Sequence, residues 1–477
     1  MLGNAGAQAK LAQGYDEIAK TLVWNEALIR RYDLSGPRYT SYPTAVEFNQ
    51  DFGVDQLLAA AERSRAQGGP LSLYTHLPFC ARLCYYCACN KEVTRKRDKA
   101  MPYVQRLLKE AAMQAPLFGA ERQVRQLHWG GGTPTFLPPE AMRTLMAGYR
   151  DLFNLQSDDE RDFSVEIDPR EVDDQTLATL WDLGFNRISL GVQDLNLKVQ
   201  KAVNRIQPLS MTQAVLNESR RLGFRSINLD LIYGLPHQTP DTFAETLEQV
   251  IDMSPDRLSV FSYAHLPERF FPQTRIRAED LPTPAEKLTI LHNTIARLLE
   301  AGYEYIGMDH FAKPDDSLAV AQRNGQLHRN FQGYTTHSDC DLVSLGVSAI
   351  GQTDDAYFQN TPVLADWEQA IDENRLAIVR GVELTDDDRI RRWVIGQLIC
   401  HFRLDRQQFE QVWEREFDFY FADELAQLAT MVNDGLIADD GRTLQVQPQG
   451  RLLIRAICQL FDYYRKGGAG QRFSRII

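Results

Sequence analysis

Hydrophobic and polar residues alternate in strand-length bursts between residues 71 and 308, and longer amphipathic stretches separate the bursts. The bursts fall at 71–77, 126–129, 163–167, 187–191, 226–232, 258–263 and 303–308. Each is short and apolar, as strands are. The stretches between them place apolar residues at helical spacing. In 240–253, Pro240 suits a first helical turn, and Phe243, Leu247, Val250 and Ile251 share a face. In 285–301, Leu288, Leu291, Ile295, Leu298 and Leu299 do the same. The junctions repeat. Leu183-Gly184-Phe185-Asn186-Arg187-Ile188 lines up with Leu222-Gly223-Phe224-Arg225-Ser226-Ile227, and Ala301-Gly302-Tyr303 is a looser third copy. Glycine there ends a helix in left-handed geometry, and an aromatic opens the next strand. Alternating strands and helices predict parallel βα units, and six or more in series predict a full or partial barrel. No glycine fingerprint for a dinucleotide follows the first strand, which argues against a doubly wound sheet.

The flanks differ from this pattern. Residues 1–70 are polar, helical in places, and too poor in apolar residues for a core of their own. They read as an N-terminal arm containing Ser35-Gly36-Pro37-Arg38-Tyr39-Thr40-Ser41-Tyr42-Pro43. Helices are predicted at 386–402 and 425–434, a hairpin at 435–446 turning at Asp439-Asp440-Gly441, and a helix at 450–464. The predicted organisation is therefore α/β: an arm (1–70), a partial (βα)6-type barrel (71–365) and a small, mainly helical, winged-helix-like domain (366–477).

Composition changes the picture modestly. The 477 residues are 44% hydrophobic and 24% charged, which suits one large catalytic domain with smaller pieces. A net charge of −12 speaks against a general nucleic-acid binder, but a local basic pocket can still take an anionic small substrate. The start, Met1-Leu2-Gly3-Asn4-Ala5, lacks a signal peptide's charged and apolar regions, and no apolar run is long enough to span a membrane. A soluble, cytoplasmic protein is expected. Seven unevenly placed cysteines do not read as a disulfide framework.

Chemistry gathers where the predicted strands end, the rim on which parallel barrels carry function. The first strand runs into Cys80, Cys84, Cys87 and Cys89. The second ends at Gly130-Gly131-Gly132-Thr133-Pro134-Thr135, the third at Glu166 and Asp168, and the fourth at Gln193 and Asp194. The fifth carries Asp230, the sixth ends at Tyr263-Ala264-His265, and the seventh at Asp309-His310. The spacing C-x3-C-x2-C suits three thiolates on a cubane iron–sulfur cluster with one iron left open. A structural zinc site is the competing reading, although such sites usually use two separated cysteine pairs. Cys89 could be a fourth ligand, but its two-residue step from Cys87 strains that geometry. Cys340, Cys400 and Cys458 are isolated and read as buried small hydrophobes. The triple glycine lets backbone N–H groups approach an anion closely.

The cysteine motif followed by Gly-Gly-Gly-Thr-Pro-Thr resembles the radical S-adenosylmethionine (SAM) superfamily. The segments around Ser35–Thr44, Leu127–Thr135, Leu231–Pro236 and His328–Thr336 narrow the resemblance to the oxygen-independent coproporphyrinogen III oxidases, from about Trp24 to the terminal run 472–477. The resemblance implies a [4Fe–4S] cluster on Cys80, Cys84 and Cys87, which reduces SAM to methionine and a 5′-deoxyadenosyl radical. It implies conversion of two propionates of coproporphyrinogen III to vinyl groups with loss of CO2, giving protoporphyrinogen IX. Tyr74, Gly131, Glu166 and Ile350 match contacts to the cluster-bound SAM, and Tyr86 matches an aromatic beside it. Gly132, Thr133, Gln193, Arg205, Asp230 and Ala264 match a second SAM site. Cys89 matches an extra cysteine that is not a ligand, and the arm matches a cover over the substrate, with Arg38 a candidate for its carboxylates. Tyr86 and Ala88 stand where Phe and Gly are expected. The resemblance further implies an electron donor and an electron acceptor of unspecified identity, and a monomer. A haem-chaperone-like paralogue shares the cluster motif but lacks the extra cysteine and the arm.

Overall fold

The computed structural model describes residues 22–465 and residue 475. The first stretch of the arm and most of the run 472–477 lie outside the described residues. The chain forms two compact units that interleave in sequence. Of the described residues, the larger unit comprises 46–294 and 339–384, and the smaller comprises 22–45, 295–338, 385–465 and 475. They cut the chain differently from the sequential boundaries 1–70, 71–365 and 366–477.

The larger unit is built on six parallel strands: β1 (Leu71–Leu77), β2 (Gln123–Gly131), β3 (Asp162–Ile167), β4 (Arg187–Gln193), β5 (Ser226–Tyr233) and β6 (Arg257–Ser262). They lie side by side in chain order, each parallel to the next. Sequential parallel order without a reversal is what the barrel reading requires, and it excludes a doubly wound sheet. Helices intervene between successive strands, among them Ala100–Phe118, Pro139–Leu152, Asp174–Asp182, Leu209–Leu222 and Pro240–Met253. The last begins with Pro240 in its first turn and a reciprocal Thr239–Thr242 cap. The repeated helix stops behave as predicted. Gly184 and Gly223 have φ of 100° and 102°, and Phe185 and Phe224 behind them are buried.

On its other edge β1 pairs in parallel with β7 (Asp341–Leu345). Three antiparallel strands follow: β8 (Ile350–Gln352), β9 (Ala356–Asn360) and β10 (Ile378–Glu383). The sequence pattern does not single out β7, because no amphipathic helix announces so short a strand. The predicted strand at 303–308 forms as Glu304–Gly307 in the smaller unit, where it pairs antiparallel with His310–Ala312. Positive φ at Gly307 and Met308 folds the chain straight back.

The smaller unit carries the predicted C-terminal elements. Helices Asp386–His401, Arg406–Trp413 and Ala422–Asn433 accompany a three-stranded antiparallel sheet of Arg403–Asp405, Thr443–Val446 and Ile437–Asp439. This is a winged-helix-like arrangement. Cys400 and Cys458 are fully buried, as small core hydrophobes should be, and Cys340 of the larger unit is half-buried. Among the described residues no helix is long and apolar enough to cross a membrane.

Candidate active site

Strand alternation in the larger unit creates an inner wall. Phe163, Val165, Ile167, Ile188, Leu190, Val192, Leu229 and Leu231 are buried on one face. The opposite face presents Ser164, Glu166, Ser189, Gly191, Gln193, Asn228 and Asp230, all partly accessible. Register lines these groups up: His128 with Ser164, Glu166 with Ser189, Ser189 with Asn228, and Asp230 with Ser259. They bond across the strands. His128 Nδ1 lies 2.7 Å from Ser164 Oγ. Asn228 donates to Ser189 Oγ at 2.9 Å and to Asp230 Oδ1 at 2.7 Å, and Ser189 donates to Asp230 Oδ2 at 2.8 Å. Burial nevertheless raises the Asp230 carboxyl to about 6 against the pull of the Ser189 hydrogen bond, and the charge of Glu166 adds to the rise.

Glu166 anchors one cluster. It accepts from the Gly131 N–H at 3.1 Å and lies 3.4 Å from His128 Nε2, with 45% of its side chain still accessible. Burial works to raise its pKa, but the His128 hydrogen bond and charge, with the Gly131 N–H, hold it below the usual range. It is therefore an anionic acceptor facing open space inside the unit. Tyr74 stacks on His128 with ring centroids 5.8 Å apart. The Tyr74 hydroxyl lies 3.1 Å from His76 Nδ1, and His76 Nε2 lies 3.1 Å from the Asn90 carbonyl. A carbonyl can only accept, so Nε2 carries the proton and Nδ1 receives the tyrosine hydroxyl. Gly131 has φ of 108°, and a Cβ there would meet the His76 ring at 2.5 Å. Only glycine lets this backbone N–H reach Glu166.

The cysteine loop anchors the second cluster. Phe79–Cys80 pairs in parallel with Glu92–Val93, so the loop leaves and returns at one place. Its exit is fixed by Glu92 N to Pro78 O at 2.8 Å and Thr94 N to Cys80 O at 2.9 Å. The glycine run is laced to the same segment by Gly132 N to Leu77 O and Thr133 N to Phe79 O, both 2.8 Å. Thr133 Oγ1 then donates to Cys80 Sγ at 3.4 Å. Cys84 Sγ receives Arg170 Nη2 at 3.4 Å and Arg205 Nη1 at 3.6 Å. Asp168 clamps both arginines, at 2.6 Å and 3.0 Å. Burial works to raise the Asp168 carboxyl, but the charge of Arg205 and the Arg170 hydrogen bond hold it at about 2. Arg205 also donates to the Gly191 carbonyl at 2.5 Å. A Cβ on Gly191 would strike Gln193 Nε2 and Arg205 Nη2, so these two side chains flank it.

The rest of the loop is pinned too. Tyr85 N donates to Val203 O at 3.0 Å, and Gln273 donates to Tyr86 O at 3.0 Å. Both rings pack on Val199, Val203, Leu235, Tyr263 and Ile276. Lys91 Nζ holds the carbonyls of Cys87 and Cys89 at 3.1 Å and 3.2 Å. The neighbouring Cys89 thiol draws the Cys87 pKa down, while Cys87 drives Cys89 itself up. Burial pushes the Cys80 thiol up to about 12.

These residues fit an iron–sulfur group. Thiols are the natural ligands, and a bound metal deprotonates them whatever their free pKa. Hydroxyl and guanidinium donors already address the sulfurs of Cys80 and Cys84. The structure thus brings together Cys80, Cys84, Thr133, Arg205 and Gln193 in one cluster, and Tyr74, Gly131 and Glu166 in another. Asp230 belongs to the wall beside them. Ala264 lies exposed beyond β6 and Ile350 opens β8. Neither has a polar side chain to join these networks. Sequence reasoning missed His76, His128, Lys91 and Arg170. Asp168-Pro169-Arg170 held a readable signal, since a proline-led turn folds the arginine back on the aspartate, with Arg170 N 3.0 Å from Asp168 Oδ1.

A sequential parallel barrel with a three-cysteine loop beside a glycine cradle defines a radical SAM enzyme, and residues 74–250 match the radical SAM superfamily model. That class works with a [4Fe–4S] cluster and SAM. Residues 384–453 match the HemN C-terminal domain. The chain belongs to the oxygen-independent coproporphyrinogen III oxidase family. It is 55% identical to the Pseudomonas aeruginosa member over 96% of this chain and 99% of that one. The Escherichia coli member is 53% identical over 95% and 98%. The solved coproporphyrinogen III oxidase (HemN) from Escherichia coli, described as a radical SAM enzyme, superposes with a TM-score of 0.89, covering 93% of this chain and all of that one.

Proposed function

We propose that this protein converts two propionate side chains of coproporphyrinogen III to vinyl groups without oxygen, yielding protoporphyrinogen IX for haem synthesis in the cytoplasm. The observation that carries the reading is the donor set around the loop, with Thr133 on Cys80 and both Arg170 and Arg205 on Cys84. Cys80, Cys84 and Cys87 hold a [4Fe–4S] cluster in this reading, and Cys89 does not. When bound, the cluster and SAM supply a 5′-deoxyadenosyl radical that takes hydrogen from a propionate.

Tyr74, Gly131, Glu166, Ile350 and Tyr86 surround the first SAM. Glu166 is kept ionised by His128 and the Gly131 N–H, so it can accept from hydroxyl or ammonium groups. Gly132, Thr133, Gln193, Arg205, Asp230 and Ala264 surround a second SAM. Arg205, locked by Asp168 and the Gly191 carbonyl, presents a fixed cation for a carboxylate. An electron donor and an electron acceptor complete the reaction. An anaerobic assay with coproporphyrinogen III, SAM and a reductant tests the reading. Protoporphyrinogen IX and 5′-deoxyadenosine should accumulate together. Haem binding without any oxidised product would point instead to the chaperone-like paralogue.

A further inference from the structure

In the smaller unit, the hairpin of His328–Asn330 and Gly333–Thr335 sets Arg329 opposite Tyr334. The guanidinium lies over the Tyr334 ring, 4.7 Å from its centroid. That ring is itself fixed. Its hydroxyl donates to the Ile399 carbonyl at 3.2 Å, and the His310 ring meets it edge-on at 5.3 Å. Arg329 Nε and Nη1 are buried and have no hydrogen-bond partner among the described residues. Two other arginines stand near. Arg38 of the N-terminal arm pairs with Asp309. Arg455 gives its donors to the carbonyls of Gly36, Pro37 and Arg475. Burial, then the charge of Arg38, and more weakly that of Arg329, lower Arg455 to about 10, with Asp309 acting in the opposite sense. Three guanidinium groups therefore share one neighbourhood.

Leaving buried guanidinium donors unpaired is costly. The Tyr334 face offsets part of that cost but offers no acceptor in the guanidinium plane. Stacking holds the planar fork still, as bidentate capture of a carboxylate requires. We infer that Arg329, assisted by Arg38, receives a carboxylate of the ligand. Given the function proposed above, on which this identification rests, that group is a propionate of the porphyrinogen.

The test is fluorescence-monitored binding of coproporphyrin III, the oxidised tetracarboxylate, to the holoenzyme, with its tetramethyl ester as the uncharged control. The wild type should bind the acid and not the ester. Arg329→Gln and Arg38→Gln should each weaken binding by about tenfold or more, as loss of a charge-assisted contact does. Arg329→Lys should recover part of the loss, and cluster absorbance should stay at the wild-type level throughout. Wild-type affinity in Arg329→Gln, or in Arg38→Gln should the first variant fail to fold, overturns the inference while the oxidase reading stands. A wild type that neither binds coproporphyrin III nor oxidises coproporphyrinogen III removes the oxidase reading and the propionate assignment with it.

Discussion

At the scale of single residues, the cysteines carry the first prediction. Fixed donors address the sulfurs of Cys80 and Cys84, and Lys91 Nζ holds the carbonyls of both Cys87 and Cys89. Serine at position 80, 84 or 87 should abolish the visible absorbance of the reconstituted cluster. Cys89→Ser should keep it, and its disappearance there would overturn the ligand assignment. Asp230 carries the second prediction. Its folded pKa of about 6 stands above the ordinary 3.8, so the folded state binds the proton more tightly. Stability from this group is whole below pH 3.8 and is lost as pH rises through 6. At roughly 1.4 kcal/mol per pKa unit, the ionised form costs about 3 kcal/mol. Asp230→Asn should therefore raise the melting temperature at pH 8, with the advantage fading toward pH 4, while turnover falls. A pH-independent melting difference would contradict the assigned cause.

Elements place these residues, and the junction after β2 is the most exacting. A Cβ on Gly132 would lie 2.6 Å from the Pro78 backbone, which cannot rotate away as a side chain can. Gly132→Ala should cost roughly 1–3 kcal/mol through overpacking. It should also weaken SAM binding, because Thr133 and Cys80 are tied to the same junction. Thermal melting and equilibrium dialysis with labelled SAM check both effects, and wild-type values in both would refute the close-approach argument. Elements were also the most legible level of the sequence. The βα units announce themselves because strand and helix periods differ and because glycine and an aromatic mark each return. β1 runs over Leu71–Leu77, where its pattern predicts it. The strand β7 is not legible in that way, since pairing with a distant β1 rather than local pattern defines it. His76 and His128 hide for a related reason. Each is a lone histidine in a strand: His76 meets Tyr74 two residues before it on the same face of β1, and only register brings His128 against Tyr74 and Glu166.

The whole chain folds into units that no sequential boundary describes, because segments far apart in sequence complete one another. In the smaller unit the arm is clasped by the helix Ile454–Leu460 and the residues after it. Arg455 holds Gly36 and Pro37, Gln459 donates to Ser35 O at 2.9 Å, Tyr39 donates to Asp462 at 3.0 Å, and Tyr463 N donates to the Tyr42 hydroxyl at 2.9 Å. The arm reads as coreless in sequence, and this contact supplies what it lacks. Charge-assisted bonds to backbone contribute about 1.5–3 kcal/mol each. Arg455→Met keeps most of the side-chain volume but removes every donor, so the segment 33–43 should detach in a growing fraction of molecules. Limited proteolysis should then cut there several times faster than in the wild type. Cluster absorbance should be unchanged, because Cys80, Cys84 and Cys87 all belong to the larger unit. Turnover should fall in step with arm release, since Arg38 travels with the segment. An unaltered cleavage pattern would mean that Tyr39 and Tyr42 hold the arm without Arg455, and the double variant with Tyr39→Phe would then separate their shares.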